Sequence, residues 1–216
     1  MSRADSANRT DRGRRTGRTS RVRPPKGDPG GPAPRRAAGL TVRPLDPLAD
    51  AGLVHGWVTH PKAVYWMMQD ARVEDVEREY LMKAAHEHYD AFIGLADGEP
   101  AFLMERYNPR YVDLAGLYPA EPGDVGLHFL VAPTDTPVHG FTRAAITRAM
   151  TELFADPGTR RVVVEPDVRN TAARRIFEYA GFTVVRAIEK PGKDAYLCVC
   201  PRERFEQSAA GRPVAP

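Results

Sequence analysis

Residues 162–182 read VVVEPDVRNTAARRIFEYAGF, and this stretch decides the fold. A β-branched run, typical of a buried strand, stops at Glu-Pro-Asp, and a helical pattern then runs from Asn170 to Gly181. Asp167 thus stands at the tip of a strand, three residues before the helix. A carboxylate there caps the helix or closes the turn, or it belongs to a ligand site, because ligands bind at the carboxyl ends of strands in open α/β sheets.

Strand and helix patterns extend outward from this stretch over residues 40–200. A hairpin is predicted within residues 90–107, where two apolar runs flank Asp97-Gly98. The other predicted strands are 40–45, 125–133, 161–167, 182–189 and 194–200, and the predicted helices are 46–58, 73–89, 139–155 and 170–180. This order predicts one layered structure of the mixed α/β class.

Charge divides the chain into a basic tail and a folded part. Residues 1–38 hold ten Arg and one Lys against three Asp, a net charge of +8, whereas the whole chain carries +3, so the remainder carries about −5. We predict a disordered tail over 1–38, a folded domain over 39–205 and a second disordered tail over 206–216. The basic tail could contact nucleic acid or acidic surfaces. We favour instead a dispensable extension, or a start codon placed too far upstream, and we do not expect nucleic acid as the main partner.

Composition excludes several classes of protein. No apolar run approaches the roughly 18 residues of a membrane span, and no apolar segment follows the N-terminal arginines as it would in a secretory signal. The two cysteines, Cys198 and Cys200, lie on one face of a predicted strand without nearby histidines, which favours neither a disulfide nor a metal site. We therefore expect a cytoplasmic protein with reduced cysteines, no metal and no membrane partner.

His128 lies within the predicted strand 125–133, on the face opposite the alternating apolar residues. It could be a structural residue. Alternatively, it meets Asp167, because helix 139–155 would connect the two strands as a right-handed crossover and make them neighbours. An imidazole and a carboxylate so placed can orient and deprotonate a nucleophile.

Gly140 marks the start of the next helix. Backbone N–H groups at a helix N-terminus, with a small residue that permits close approach, bind phosphate oxygens. The alternative is an ordinary helix start that is capped by Thr134 or Thr136.

Several stretches together resemble the GNAT acyl-CoA N-acyltransferases. They are WVTHPKAVYWM (57–67), PAFLMERY (100–107), GDVGLHFLVAP (123–133), LFADPGTRRVVVEPDVRN (153–170) and GKDAYL (192–197). The resemblance covers about residues 40–200. It is closest to the siderophore-biosynthesis branch and, through HPKAVYWM and PVHGFT, to the hydroxycadaverine acyltransferases of the desferrioxamine pathway. It implies an α/β (α+β) GNAT fold, in which a mixed, mostly antiparallel sheet of about seven strands is flanked by about four helices.

The resemblance also implies roles for matching residues. His128 matches the catalytic base and Asp167 its partner, and the Leu130 N–H is expected to polarise the thioester carbonyl. The implied cofactor-binding residues are Leu130, Val131, His139, Gly140, Phe141, Thr142, Arg143, Asn170, Ala173 and Phe177. The implied acceptor-binding residues are His60, Trp66, Glu105 and Tyr107, for which packing and salt bridging within the hairpin are the alternative.

Two departures from the family pattern bear on the mechanism. The usual pyrophosphate turn, Arg/Gln-Gly-x-Gly-x-Gly/Ala, here reads His-Gly-Phe-Thr-Arg-Ala over residues 139–144, so Arg143 would have to supply the charge. Phe177 occupies the position of the Tyr that commonly protonates the leaving thiolate, and Tyr179 faces elsewhere by helical spacing. The proton must then come from His128, water or the substrate.

The resemblance implies direct transfer of an acyl group from acetyl-CoA or succinyl-CoA to an N-hydroxylated diamine such as N-hydroxycadaverine, giving a hydroxamate for iron acquisition. A hydroxylamine nitrogen is already neutral near pH 7, so a modest base such as His128 suffices. The alternatives are an N-hydroxylysine or N-hydroxyornithine acetyltransferase, and an aminoglycoside-type N-acetyltransferase that holds its polycation with Glu105, Asp124 and Asp167. A third alternative is a degenerate GNAT domain that binds nucleic acid through its tail. For the oligomeric state, either a monomer or a homodimer is expected.

Overall fold

The computed structural model describes residues 39–208 and 210–211, so the predicted tail over 1–38 lies outside the described residues. The strands are β1 Leu40–Pro44, β2 Tyr89–Ala96, β3 Glu99–Tyr107, β4 Asp124–Val131, β5 Arg161–Val164, β6 Thr183–Lys190 and β7 Lys193–Pro201. The helices are α1 Pro47–Val58, α2 Val73–Ala84, α3 Phe141–Ala155, α4 Thr171–Tyr179 and α5 Arg202–Gln207, and a 3-10 helix spans Pro61–Trp66. The predicted order of strands and helices is confirmed, and the 3-10 helix and α5 are additions to it.

The described strands form one sheet in the order β1-β2-β3-β4-β5-β7-β6. Every neighbouring pair is antiparallel except β4 and β5, which are parallel. This confirms the predicted mixed, mostly antiparallel sheet. Parallel pairing joins only Asp124–Gly126 to Arg161–Val163, whereas β3 stays paired with β4 as far as Val131. Beyond Gly126, β4 and β5 therefore diverge and leave a gap.

A buried ion pair fixes the closed end of this gap. Arg161 donates to both carboxylate oxygens of Asp124 at 2.6 and 2.7 Å, and to Glu121 at 2.6 Å. A bidentate guanidinium–carboxylate contact sets geometry as well as energy, and the Asp124 side chain is only 1 % exposed. The pair therefore holds the register from which β4 and β5 separate.

The two faces of the sheet pack against different helices. Helices α3 and α4 cover one face, where Leu127, Ile146 and Phe177 belong to one core cluster. Helices α1 and α2 cover the other face at β2 and β3, where Trp57 and Leu103 are buried. Since Leu127 faces α3, His128 faces the opposite side, as the alternation along β4 predicts.

Two predicted boundaries are wrong. The helix predicted over 73–89 ends at Ala84, because the Tyr89 N–H closes a turn onto the His86 carbonyl and Tyr89 begins β2. The C-terminal tail predicted from residue 206 begins inside α5, whose Phe205 is buried in the core. Ala210 also packs there, so the described residues beyond 205 belong to the folded unit.

Candidate active site

A cavity of about 430 Å³ occupies the gap between β4 and β5. The predicted site residues that line it are Trp66, Glu105, His128, Leu130, Asp167, Asn170, Ala173 and Phe177. The others, which are His60, Tyr107, Val131, His139, Gly140, Phe141, Thr142 and Arg143, are not among its lining residues. The structure thus brings together half of the predicted site at one place, where two neighbouring strands separate.

His128 lies between two buried carboxylates in this cavity. Its Nδ1 is 2.9 Å from Glu105 Oε2, and its Nε2 is 3.0 Å from Glu165 Oε1. The side chains of both glutamates are at most 2 % exposed, whereas that of His128 is 23 % exposed. A neutral imidazole can donate from only one nitrogen, so this geometry requires the imidazolium, which donates to both carboxylates.

The electrostatics of His128 agree with its geometry. Burial by itself lowers the pKa of His128, but the charges of Glu165 and Glu105 and their hydrogen bonds outweigh it and raise this pKa to about 9. The cations around Glu105 and Glu165 in turn outweigh burial and lower the pKa of each carboxyl. The resting site at pH 7 therefore holds a protonated His128, and this state is not that of a ready base.

Glu105 is held by four donors on three elements of the fold. It accepts hydrogen bonds from Tyr80 at 2.7 Å and Lys83 at 2.8 Å, both from α2. It also accepts from Tyr89 of β2 at 2.8 Å and from His128. The carboxylate is thereby fixed and saturated, so Glu105 orients His128 and has no free oxygen for an acceptor substrate.

Glu165 is held on the other side of His128. Lys190 donates to Glu165 at 2.7 Å from the end of β6, and the Lys193 ammonium lies 3.6 Å away at the start of β7. The Tyr107 hydroxyl donates to the second carboxylate oxygen at 3.1 Å. Tyr107 is 2 % exposed, so it supports Glu165 from behind, and the expectation that it contacts substrate is not met.

A glycine in β4 makes room for the Tyr107 ring. A Cβ built at Gly126 would lie 2.1 Å from that ring, far inside van der Waals contact. The Tyr107 ring therefore lies across the β4 backbone, within 4.8 Å of the His128 ring centroid. The residue type at 126 is thus set by the need to bring Tyr107 to Glu165.

The predicted contact between His128 and Asp167 is wrong. Asp167 is 4 % exposed, and both of its oxygens accept hydrogen bonds from the Arg169 guanidinium at 2.9 and 2.7 Å. These bonds hold the pKa of Asp167 at about 2. Glu165 contacts His128 instead, because it lies two residues earlier on the same face of the strand, nearer to the point where β4 and β5 part.

The amide of Leu130 faces β3 and not the gap. The Gly123 carbonyl bonds to β5 just before β4 begins, and the Ala132 N–H donates towards β3 at 2.9 Å just after β4 ends. Because backbone groups alternate between the two neighbouring strands, even-numbered residues of β4 face β3. The expected contact of the Leu130 N–H with a thioester is therefore wrong, and Phe129 and Val131 direct their amides into the gap.

The start of α3 has N–H groups available for an anion. Gly140 is the N-cap, with φ of 80° and no side-chain capping bond, and within the described chain Thr142 and Arg143 donate no backbone hydrogen bond. The Phe141 N–H donates to the Val138 carbonyl, and the Phe141 side chain is buried, so its predicted contact with the cofactor is wrong.

The two threonines before α3 do not cap it. The Thr134 hydroxyl accepts from the Thr136 N–H at 3.1 Å, which closes a local turn. His139 is exposed next to Gly140. Arg143 lies over the Tyr179 ring of α4 at 5.0 Å, so its charge is held between α3 and α4.

The start of α4 is an ordinary cap that also borders the cavity. The Asn170 side chain accepts from the Ala173 N–H at 3.0 Å. Phe177, one helical turn after Ala173 in α4, is 8 % exposed and packs on Phe182 with ring centroids 5.2 Å apart. The position of the usual Tyr acid therefore presents an apolar ring to the cavity.

The 3-10 helix Pro61–Trp66 forms the wall opposite α4. Trp66 lines the cavity and contacts His128 edge-on, with ring centroids 6.1 Å apart. His60 caps this helix by accepting from the Lys62 N–H at 3.1 Å. Its side chain therefore has a structural role here instead of lining the cavity.

Sequence reasoning missed Glu165, Lys83, Tyr89 and Lys190. A signal for Glu165 existed, since a Glu directly after three valines of a buried strand must find cationic partners. For Lys83 and Tyr89 no local signal existed, because their meeting depends on how α2 packs against the sheet.

The acidic residues that an aminoglycoside enzyme would need are already paired. Asp124 is bound to Arg161 and does not line the cavity. Glu105 and Asp167 line it but are saturated by their own cations. None of these three carboxylates is therefore free for a polycation.

Comparison with known proteins places these observations. Residues 46–190 match the family described as the acetyltransferase (GNAT) domain. The lysine N-acyltransferase MbtK of Mycobacterium sp. (strain MCS) is 30 % identical over 184 residues, which are 85 % of this chain and 75 % of that protein. The N(6)-hydroxylysine O-acetyltransferase of Escherichia coli is 28 % identical over 175 residues, which are 80 % of this chain and 55 % of that protein.

The fold agrees with a solved enzyme. The structure of AAC(6')-Ib in complex with ribostamycin and coenzyme A matches with a TM-score of 0.71 and 23 % identity, over 82 % of this chain and 99 % of that one. Within residues 39–208 and 210–211, no helix is long and apolar enough to cross a membrane, and no three His, Cys, Asp or Glu side chains are grouped to hold a metal ion. By its family match, its relatives and its divergent β4 and β5, the chain belongs to the GNAT acetyltransferase family and is an N-acyltransferase.

Proposed function

We propose that this enzyme transfers an acyl group from acetyl-CoA or succinyl-CoA to the hydroxylamine nitrogen of an N-hydroxylated diamine, such as N-hydroxycadaverine, and so makes a hydroxamate for siderophore assembly. The resemblance of HPKAVYWM and PVHGFT to the desferrioxamine branch supports this choice. Relatives named for lysine and N(6)-hydroxylysine support an amine acceptor of this kind. The observation that carries the proposal is the protonated His128 between Glu105 and Glu165.

A protonated His128 suits a hydroxylamine better than an alkylamine. An alkyl ammonium must lose a proton before it can attack, and an imidazolium whose pKa is about 9 is a poor acceptor for that proton at pH 7. A hydroxylamine nitrogen is neutral near pH 7 and attacks without prior deprotonation. The state of His128 therefore selects for the less basic nitrogen.

The same state supplies the proton that Phe177 cannot. As the tetrahedral adduct collapses, the C–S bond breaks and the thiolate sulfur takes a proton from His128. The acylated nitrogen then gives its surplus proton to the neutral imidazole, so His128 ends as it began. A thiol pKa of about 8.5 lies close to that of His128, and such matching favours transfer in both directions.

The CoA thioester would lie between β4 and the starts of α3 and α4. The free N–H groups of Thr142 and Arg143 suit its phosphates, together with the Arg143 charge. The gap-facing amides of Phe129 and Val131 suit the thioester carbonyl. Asn170 and Ala173 border the same cavity, which supports their expected place on the CoA side.

Transfer would be direct, without a covalent acyl-enzyme. Burial raises the pKa of Cys198 to about 11 and that of Cys200 to about 12, so both remain thiols at neutral pH. Neither cysteine lines the cavity. The attacking nitrogen must therefore reach the thioester itself, with Trp66 as a further proposed contact on the acceptor side.

The test is turnover with matched amines. Purified protein is incubated with acetyl-CoA or succinyl-CoA and with N-hydroxycadaverine, N-hydroxylysine, N-hydroxyornithine or cadaverine, while free thiol and hydroxamate are measured. We expect thiol release with hydroxamate formation, fastest for N-hydroxycadaverine and at least about a hundredfold slower for cadaverine. Absence of turnover with every hydroxylated amine, or equal rates with cadaverine, would contradict the proposal.

A further inference from the structure

Asp113 is a carboxylate in the cavity wall that the mechanism leaves unused. Five acidic residues line the cavity, which are Glu79, Glu105, Asp113, Glu165 and Asp167. Four of them are paired: Glu79 and Glu105 with Lys83, Glu165 with His128 and Lys190, and Asp167 with Arg169. Asp113 makes neither an ion pair nor a hydrogen bond with any other described residue, and it is exposed to the cavity solvent.

The backbone holds Asp113 in an unusual conformation at this wall. Its φ is 55°, in the left-handed region, where Asp, Asn and Gly are the residues best tolerated. The next residue, Leu114, is fully buried beside Tyr107 and Leu197. The Leu114 N–H donates to the Val112 carbonyl at 2.6 Å. Asp113 is thus presented from a fixed turn and not from a loose loop.

Asp113 also lies next to the residues that surround His128. Burial, Glu105 and then the charge of Asp113 raise the pKa of Tyr89, and Asp113 likewise adds to the shift of the Tyr107 pKa. The Tyr89 hydroxyl is 3.1 Å from His128 Nδ1, and the Tyr89 and Tyr107 rings stack with centroids 5.7 Å apart. Asp113 therefore borders the same cavity as His128, close to the two stacked tyrosines.

We propose that Asp113 binds the distal ammonium of the acceptor substrate and so makes the enzyme selective for a diamine. The inference rests on the proposed function, since it assumes that the cavity takes a hydroxylated amine whose nitrogen reacts near His128. An unpaired carboxylate and a reacting centre in the wall of one cavity fit an acceptor that carries a cation at one end and a hydroxylamine at the other. A zwitterionic amino acid would bring a second negative charge to Asp113.

The position of Lys62, the other charged lining residue without an ion pair in the described chain, supports a substrate cation at Asp113. Lys62 makes no ion pair within the described chain, and its ammonium reaches the Thr134 carbonyl at 3.4 Å, in the turn that leads to α3. That cation faces the proposed phosphate side. The negative charge of Asp113, which has no ion-pair partner among the described residues, is available to a substrate cation.

The experiment compares Asp113→Asn with Asp97→Asn. Asp97 is the matched control, because it is also an Asp with positive φ, at 52°, but it lies in the β2–β3 hairpin outside the cavity lining. Each variant and the wild type are assayed with N-hydroxycadaverine and with N-pentylhydroxylamine, which lacks the distal amine. We expect Asp113→Asn to raise KM about tenfold for N-hydroxycadaverine only, with kcat kept, since one charge-assisted contact is lost.

A second readout separates this inference from the proposed function. Calorimetry with the CoA-bound protein measures the binding of cadaverine against pentylamine, and neither ligand needs to react. If turnover is absent but cadaverine binds about tenfold more weakly to Asp113→Asn than to Asp97→Asn, the proposed function fails and the role of Asp113 stands. Equal binding by the two variants, equal losses for both ligands, or no cadaverine binding by the wild type would each overturn it.

Discussion

His128 Nε2 lies 3.0 Å from the Glu165 carboxylate across the gap between β4 and β5, and this contact decides the protonation state of the site. Glu105 faces the other ring nitrogen at 2.9 Å, so the imidazole is held as a cation between two anions. Opposite charges at this distance favour the charged form of each partner. This family member, which has Phe177 in place of the usual Tyr acid, therefore has a protonated group in the cavity where the thioester is proposed to bind.

The pH dependence of the reaction should distinguish an acid from a base at His128. If the imidazolium is required, kcat/KM for the hydroxylated amine falls as pH rises through about 9, the pKa of His128 in the free enzyme. If a neutral imidazole were required, kcat/KM would instead rise up to that pH. Initial rates between pH 6 and pH 10.5 at low substrate, with thiol release as the readout, would decide the matter.

Replacing Glu165 should move this alkaline limb, whereas replacing Asp167 should not. Glu165→Gln removes a negative charge 3.0 Å from His128, so the pKa of His128 falls and the limb shifts to lower pH by about one unit or more. Asp167→Asn is the matched control, because Asp167 bonds to Arg169 and not to His128. A shift of the limb in Asp167→Asn alone would restore the partner that the sequence suggests.

The fold was predictable because its signals are local. The β-branched run before Glu165, the hairpin at Asp97-Gly98 and the helix that ends before Gly181 each follow from period and turn chemistry. The end of α2 was placed five residues late, since Ala85 to Tyr89 continue the apolar spacing while a turn at His86 ends the helix. Helix propensity and apolar spacing carry no information about the reversal of the chain that is needed there to enter β2.

The site was predictable only in part, because it depends on pairing. The family resemblance implies that His128 and Trp66 belong to one site, and both residues line the same cavity. Which of Glu165 and Asp167 contacts His128 depends on the residue at which β4 and β5 diverge, and no local sequence pattern encodes that position. The direction of the Leu130 amide likewise follows from the register with β3 and not from the residue itself.

The pH dependence of the unfolding free energy should reflect the contacts of His128 with Glu105 and Glu165. The pKa of His128 is about 9 in the folded state and about 6.5 when unfolded, so the stabilisation is fully present below pH 6.5 and is lost as pH rises through 9. The loss should be on the order of 3 kcal/mol. Urea unfolding of the wild type and of His128→Gln at pH 6 and pH 9.5 measures it, and an equal pH dependence in both proteins would contradict it.

Gly126→Ala should damage both folding and catalysis through Tyr107. The added Cβ would lie 2.1 Å from the Tyr107 ring, so the ring must move away from Glu165 at a cost of about 1–3 kcal/mol. Gly56→Ala is the matched control, since a Cβ on this helical glycine meets nothing within 4 Å. Unfolding free energy and kcat should both fall for Gly126→Ala, and an unchanged kcat in a destabilised protein would argue against the positioning of Glu165 by Tyr107.

Phe177→Tyr tests whether His128 has replaced the usual Tyr acid. In the proposed mechanism His128 supplies the proton, so this substitution alone should change kcat by less than about twofold. In a His128→Gln background, which we expect to lose about a hundredfold or more in kcat, the new hydroxyl at the cavity wall should restore at least about tenfold. Phe182→Tyr is the control, because its ring packs on Phe177 but does not line the cavity. If Phe177→Tyr restores no more activity than Phe182→Tyr, then proton supply to the thiolate is not what His128 provides.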